Sequence, residues 1–519
     1  MLIPGSALLW LLVLALPVVW LWPRLLNPSF GMIDDPHDLK YFRSMQVDFI
    51  GWLKTGGLHG EVGDGRYRPL YWILRFIFYY LPAGLNPTGW VYIHYVNLAC
   101  AITVFFLTIQ FISRNVFVAF VGCLLWIFSA NAIENYSRLA TQEIWQVLWL
   151  GFLFLLGHFI FSKKQSKTIP LGLYLLLAVV LFLLYFSKET SLVMLPFSMV
   201  MLCLSLGFKK GRREWLLFSF LNLLFTVLFF ACAPSRTGYA SHYQFSFSLI
   251  LQNLKMFFFE LQWHYLLLVL LVAYLLRLYR HRGHLGKRPI EQWQFAFLAL
   301  GLAFWGVYLP WTEHVRRYLL VSDFLFAGFM ALELMSLILP FKLTSLIPLC
   351  LSCFLAYTSS AQMPDILKRL YTQPVRKTKG PVYAMQWFCQ KAKANANVLV
   401  FELEPELTGA SILFIQDFFQ RKDLTIYSLS EYAQNYQRGG YNIVSVDKIS
   451  EEVMDKIDYI FWSRRGIDRA HIDQFHQYIM HQLNQSKYRY RMNMIYNDVD
   501  REGGPLPEGT EIWELKREK

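Results

Sequence analysis

Two aspartates, Asp34 and Asp35, stand side by side in G-M-I-D-D-P-H-D-L, with His37 and Asp38 close behind. A carboxylate pair held this close can keep one member ionised as a general base while the other orients it or binds a metal. D-D-P is also good turn chemistry, so a solvated turn is the competing reading. G-R-Y-R-P-L-Y-W (65–72) brings Arg66 and Arg68, and S-R-L-A-T-Q-E (137–143) brings Arg138 and Glu143, with Glu134 just ahead. The arginine fork binds phosphate bidentately and keeps its charge, whereas a single arginine near lipid more simply meets headgroups. F-S-K-E-T-S (186–191) carries Lys188 and Glu189 on a very short connection, and L-P-W-T-E-H-V-R-R-Y-L-L-V-S-D (309–323) gathers Glu313, His314, Arg316 and Arg317. Asp323 and Glu333 fall inside the next apolar run, where an ionised carboxylate needs a partner or water. Asp323 reads as a site member and Glu333 as a polar contact without a role.

These residues sit between long apolar stretches. The chain of 519 residues is 55% hydrophobic and 16% charged, which excludes a soluble multidomain enzyme. Its +13 net charge is spread between apolar runs and forms no basic face, so it predicts membrane orientation and no nucleic-acid partner. Spanning helices are predicted at about 7–22, 90–112, 116–133, 144–161, 169–186, 190–207, 215–233, 264–281, 293–310, 318–340 and 344–361, each near the length a bilayer requires. That gives a polytopic α-helical membrane protein of about 11 spans. Segment 69–82 is too short to cross and reads as an interfacial helix with Arg75 among headgroups.

The basic connections alternate with the others: Arg114; Lys163, Lys164 and Lys167; Lys209, Lys210, Arg212 and Arg213; Arg277, Arg280, Arg282, Lys287 and Arg288; and Lys342. The positive-inside rule puts them in the cytoplasm. The long first outer loop 23–89, the connections holding Glu143, Lys188 and Arg317, and the chain after the last span then share the opposite face. Residues 1–361 hold 27 Lys and Arg against 15 Asp and Glu, and 362–519 hold 22 against 21. The first part therefore reads as the membrane domain, 362–380 as a linker and 381–519 as a soluble α/β domain on the outer face. Strand-like runs at 397–403, 424–428, 457–463 and 511–515, with helical stretches near 408–420 and 467–483, make up that tail. No glycine-rich phosphate loop follows its first strand, which argues against a nucleotide. The seven cysteines encode no disulfide framework. The apolar stretch 7–22 lacks a preceding basic residue and reads as an uncleaved first span.

The order of these motifs resembles the GT-C class of polytopic glycosyltransferases, particularly those similar to protein O-mannosyltransferases and the aminoarabinose and other lipid-directed bacterial transferases. The carriers, over roughly 1–345, are I-D-D-P, R-Y-R-P-L-Y-W, Y-I-H-Y-V-N-L, S-R-L-A-T-Q-E, S-K-E-T and R-R-Y-L-L. The resemblance implies a bacterial inner-membrane transferase moving a sugar, with inversion, from a polyprenyl-phosphate carrier to an acceptor lipid, glycan or protein on the outer face. It assigns the base to Asp34 with Asp35 beside it, and the second acid, near the acceptor, to Glu143. Arg68, Arg138, Lys188, Arg317 and His314 become candidates for holding the carrier phosphate. Ser322 stands where a proline often follows the leucines of the last motif. A divalent cation fits such chemistry, although no dedicated ligand set is visible.

The chemistry agrees with the resemblance: breaking a sugar–phosphate bond needs charge stabilisation on the departing phosphate and a base for the incoming hydroxyl. A multispan transporter is the rival from another class, but no inverted repeat and no matched pair of glycine-broken spans appears. A polymerase or ligase of lipid-linked glycans is the rival among enzymes.

Overall fold

The computed structural model describes residues 4–26, 48, 68–78, 87–138, 141–162, 170–208, 212–233, 244–256, 264–280, 289–312, 316–338, 381–401, 405–429, 433–434, 437, 440–446, 448–464, 469–485, 489–497 and 509–518. They form two compact units, a helical one up to residue 338 and an α/β one from 381 onward.

The helical unit contains α1 (Pro4–Leu26), α2 (Pro69–Phe78), α3 (Pro87–Ser113), α4 (Val116–Ile127), α5 (Ala130–Ser137), α6 (Glu143–Ser162), α7 (Leu171–Ser187) and α8 (Met194–Phe208). It continues with α9 (Arg212–Cys232), α10 (Phe247–Lys255), α11 (His264–Arg280), α12 (Pro289–Val307) and α13 (Leu320–Ile338). A 3-10 turn, Glu189–Val193, leads into α8 and another, Arg316–Leu319, into α13. Nine of the expected spans each fall on one of these helices and 116–133 falls on two; the expected span 344–361 lies outside the described residues. Four of the described helices, over Pro87–Ser113, Glu143–Phe161, Arg212–Cys232 and Leu320–Leu337, are long and apolar enough to cross a bilayer, or five with the α4–α5 pair.

The expected span 116–133 is corrected. The helix stops at Ile127 and restarts at Ala130 with a 65° bend. Ser129 causes the restart: its side chain accepts from the Ala132 N–H at 3.2 Å, an N-cap that begins a new helix. The preceding turn is equally local, with Arg114 in the left-handed region at φ 56 and the Asn115 side chain capping α4 at the Phe117 N–H, 2.9 Å away.

Helix α13 is the axis of the bundle: 83% of its apolar window is buried, against 28% for α9 at the lipid-facing rim. It packs closely on α12 because each helix offers a glycine to a phenylalanine of the other. A Cβ on Gly301 would lie 2.7 Å from the Phe326 ring, and one on Gly328 2.8 Å from the Phe297 ring. Only a missing side chain lets the rings sit against the backbone at both places.

Short connections make successive helices antiparallel. The helix ends bearing Arg114, Arg212, Arg213, Arg277 and Arg280 therefore share one end of the bundle, with Glu143, Lys188 and Arg316–Leu319 at the other. At the basic end Glu333 is paired. Arg277 Nη2 donates to Glu333 Oε2 at 2.6 Å and to Gln294 Oε1 at 2.9 Å, while Gln294 Nε2 donates to Glu333 Oε2, the Leu332 carbonyl and Ser336 Oγ, each at 3.0 Å. Glu291 stands 3.7 Å from Arg277.

The second unit is built on a six-stranded sheet of order β3-β2-β1-β4-β6-β5, with β1 (Asn397–Phe401), β2 (Thr425–Ser428), β3 (Ile443–Ser445), β4 (Tyr459–Arg464), β5 (Arg489–Asn497) and β6 (Gly509–Glu518). The first four are parallel; β6 runs antiparallel to β4, and β5 to β6. Helices α14 (Pro381–Lys391), α15 (Pro405–Ile412, continuing as a π-turn Leu413–Phe418), α16 (Glu451–Met454) and α17 (Arg469–Gln485) connect or cover it. Arg421 ties α14 down: it donates to the carbonyls of Cys389, Ala392 and Lys393 and holds Asp423 through Nε and Nη2 at 2.9 Å each. Hydrogen bonding from Arg421 holds the Asp423 carboxyl below its usual range, and burial pushes the Cys389 thiol up to about 12.

Candidate active site

Glu143 opens α6, where a carboxylate favours the helix N-terminus. Lys188 occupies a single extended residue between α7 and the Glu189–Val193 turn. That placement aims its Nζ at Glu143 Oε1, forming an ion pair whose two residues are each 3% exposed. The ammonium also lies 4.5 Å from the Tyr318 ring centroid, a cation–π contact. An ammonium has three donors, and among the described residues Glu143 is the one hydrogen-bond acceptor of Lys188. One turn into α6, Gln146 Nε2 donates to Thr190 Oγ1 at 3.0 Å and Ser191 Oγ at 2.8 Å. This uncharged clasp fixes the turn from which Lys188 projects.

Tyr318 is held by its own aromatic neighbours, stacked on Tyr308 at 5.4 Å and 18° and edge-on to Trp311 at 6.4 Å. It directly follows Arg317, which the structure places on the 3-10 turn packed against α5. Helix α5 is anchored from below: Asn131 Nδ2 donates to Asp323 Oδ2 at 2.7 Å, Asn135 Nδ2 to the Asn131 carbonyl at 2.8 Å, and Tyr136 Oη to Asn97 Oδ1 at 3.3 Å. The Asn135 carbonyl then takes the Arg138 N–H at 3.3 Å and the Thr141 hydroxyl at 3.0 Å. Asp323 thereby joins the segment before Glu143 to the segment after Arg317. Arg138 itself is part-exposed and pairs with Glu134 at 2.8 Å.

Arg68 and Arg75 flank α2, and both are 3% exposed. Arg68 lies over the rings of Tyr71 and Trp72 at 5.4 and 5.9 Å, and Arg75 over Trp90 and Tyr71 at 4.5 and 5.5 Å. The expectation that Arg75 meets headgroups is corrected: α2 packs on α7, and the faces of Trp90 and Tyr71 draw the guanidinium inward.

The fold thus unites Glu143 and Lys188 directly and brings the turns of Arg138 and Arg317 alongside. Asp34, Asp35 and His314 lie outside the described residues. Among the described residues no group of three or more His, Cys, Asp or Glu side chains could hold a metal ion. Sequence reasoning missed Gln146 and Tyr318. Gln146 was findable as a glutamine three positions after Glu143 on one helical face, but the ring stack of Tyr318 depends on Tyr308 and Trp311 folding back.

No family model and no curated protein matches this chain by sequence. Its fold is matched. The structure of ArnT from Cupriavidus metallidurans bound to undecaprenyl phosphate superposes with a TM-score of 0.53 at 11% identity, covering 98% of each chain. The apo structure of the same ArnT gives 0.54 at 12% identity, covering 98% of this chain and 97% of that one. The chain has the GT-C fold. The archaeal oligosaccharyltransferase AglB from Archaeoglobus fulgidus, solved with an inhibitory peptide and a dolichol-phosphate, gives 0.45 at 11% identity over 89% of this chain and 69% of that one. As the GT-C fold places apolar helices in a bilayer, the chain is an integral membrane protein.

Proposed function

We propose that this chain is a glycosyltransferase that moves a sugar from a polyprenyl-phosphate carrier to an acceptor hydroxyl on the non-cytoplasmic face, with inversion. The observation that carries this reading is the Glu143–Lys188 pair: a buried cation with spare donors, at the bundle end opposite the basic helix ends. The acceptor oxygen attacks the anomeric carbon while the carbon–oxygen bond to phosphate breaks, and the bonding electrons leave with the phosphate. The hydroxyl proton passes to the Asp34–Asp35 pair, Asp34 being the assigned base. Charge growing on the departing phosphate falls to Lys188, with Arg138, Arg317, Arg68 and His314 as the further candidates for the phosphate. A donor of fixed charge aimed at developing charge acts mainly in the transition state. Glu143 holds the Lys188 ammonium in register, which keeps it close to the reacting groups as the second acid.

The fold match supports this reading: an ArnT of the same fold was solved with undecaprenyl phosphate. The bundle polarity supports the orientation, since basic residues gather at the end opposite the site. The domain limits 1–361, 362–380 and 381–519, the count of eleven spans and the outer location of the tail belong to the same proposal.

The decisive experiment supplies purified protein in vesicles with a polyprenyl-phosphate-linked sugar and a bacterial envelope extract as the source of acceptor hydroxyls, and follows release of the polyprenyl phosphate. Release that stops in Lys188→Met is expected. Solute uptake without carrier consumption would instead establish a transporter. Cysteines placed near 60 and near 440 and labelled only from the cytoplasmic face would overturn the orientation.

A further inference from the structure

The described part of the connection between α9 and α11, residues 244–256, has two unlike sides. One is tied to the turn that carries Tyr308 and Trp311. The Gln244 N–H donates to the Pro310 carbonyl at 2.9 Å, and Asn253 Nδ2 reaches the Leu309 and Trp311 carbonyls at 2.8 and 2.9 Å and that of Tyr308 at 3.4 Å. Asn253 is buried. The other side shows Phe245 at 87% exposure, Phe247 at 81% and Leu251 at 55%. Phe247 and Leu251 are four apart on α10 and share a face, while Ser248, Gln252 and Lys255 are exposed beside them.

A helix of 9 residues is roughly 14 Å long and cannot cross a hydrocarbon core of roughly 30 Å. It is bracketed by Cys232 and His264, the ends of two apolar helices that meet the Glu143 end of the bundle. Those helices turn large apolar side chains outward near the same ends, Val227 and Phe230 on α9 and Leu268 and Val269 on α11. The helices that precede and follow α10 in the chain thus both carry outward apolar surface. Three large apolar side chains together at that boundary, with polar residues between them, have the composition of an interfacial helix.

We infer that segment 244–255 is a membrane-docking element: Phe245, Phe247 and Leu251 enter the headgroup–acyl boundary of the leaflet at the Glu143 end, and Gln244 and Asn253 fasten the 308–311 turn to it. Asn253 is then a positioning residue, acting through Tyr308 and Trp311 on the Tyr318 ring beneath Lys188. Docking does not rest on the proposed transfer reaction and is tested without turnover.

The full, unmodified chain is reconstituted in phosphatidylethanolamine–phosphatidylglycerol vesicles doped with a phosphatidylcholine bearing a photoactivated diazirine on its acyl chain, and adducts are mapped by mass spectrometry. Adducts on 245–251 are expected alongside those on 227–230. Adducts on 227–230 with none on 245–251 would mean that water or protein covers the face, and would overturn the docking. Phe245→Ser combined with Phe247→Ser is expected to abolish labelling of the segment and leave 227–230 labelled. For the tether, Asn253→Ala is expected to speed amide exchange at 308–311 about tenfold or more, with Gln252→Ala unchanged; unaltered exchange in Asn253→Ala overturns it.

Discussion

The two ends of the helical unit each hold an ion pair between helices far apart in sequence, fully buried for Glu143–Lys188 and half-buried at Arg277 for Arg277–Glu333, and the two cations have different numbers of partners. At the basic end Arg277 meets Glu333, Gln294 and Glu291, and Gln294 spends its amide on Glu333, Leu332 and Ser336. At the other end Lys188 meets, among the described residues, a single carboxylate and the face of Tyr318, with Arg138 and Arg317 on adjacent turns. The Arg277 network joins three helices through several partners, although Arg277 Nε and Glu333 Oε1 have none among the described residues, and works as a staple between α11, α12 and α13. A cation whose one hydrogen-bond acceptor among the described residues is Glu143 suits the proposed role of receiving an anion. Burial and charge alone do not separate the two ends; the number of partners each cation has among the described residues does.

The largest expected effect tests that distinction. Lys188→Met should lower phosphate release by about 10²–10³-fold, the range for removing one donor to developing charge. Arg277→Met should leave turnover within a few-fold in protein that still folds, as read in the same vesicle assay. An equal loss in both variants would erase the comparison. Asp34→Asn, if Asp34 is the base, should cost about 10²–10⁴-fold, with Asp35→Asn costing less; a near-normal double variant would remove the first loop from the chemistry.

Stability tests both ends as well. Glu333→Leu leaves Arg277 with Gln294 and the more distant Glu291, so it should cost less than the about 3–5 kcal/mol of breaking a fully buried pair, read as a fall in thermal midpoint. Glu143→Gln combined with Lys188→Met removes both charges together, so its midpoint should lie above that of either single variant while phosphate release stays lost. Gly328→Val, which would press a side chain into the Phe297 ring, should cost about 1–3 kcal/mol by overpacking and spare the site.

The smallest effect belongs to the tail. Because Arg421 lowers the Asp423 carboxyl, its contribution is complete above the ordinary carboxylate value near about 3.9 and is lost as pH falls through the depressed folded value. Amide exchange at Asn395, whose N–H bonds Asp423 at 3.2 Å, should accelerate below that range. Asp423→Asn should flatten the dependence.

Much of this was legible in the chain. Apolar length fixed where nearly every described helix lies, because a bilayer imposes one length and one composition on any segment that crosses it. The alternation of basic connections anticipated which helix ends gather, since polarity alternates along an antiparallel bundle. In the tail, the strands buried on both faces were visible as apolar runs at 397–403 and 457–463, whereas β5 and β3 were missed. Both are edge strands, one with exposed residues along its length and one only three residues long, and neither needs an apolar run.

What only the tertiary structure decided was pairing. Arg75, Glu333 and Asp323 are each a charge within an apolar run and Lys188 is one on a short polar turn, and nothing in their neighbours distinguishes a headgroup contact from a staple, a proposed site or an anchor. The distinction arises from residues 15 to nearly 200 positions away, Trp90, Arg277, Glu143 and Asn131. The physical reason is that hydrophobic burial is a local, additive property that a sequence displays directly, while the fate of a buried charge depends on which partner the packing brings within hydrogen-bond reach.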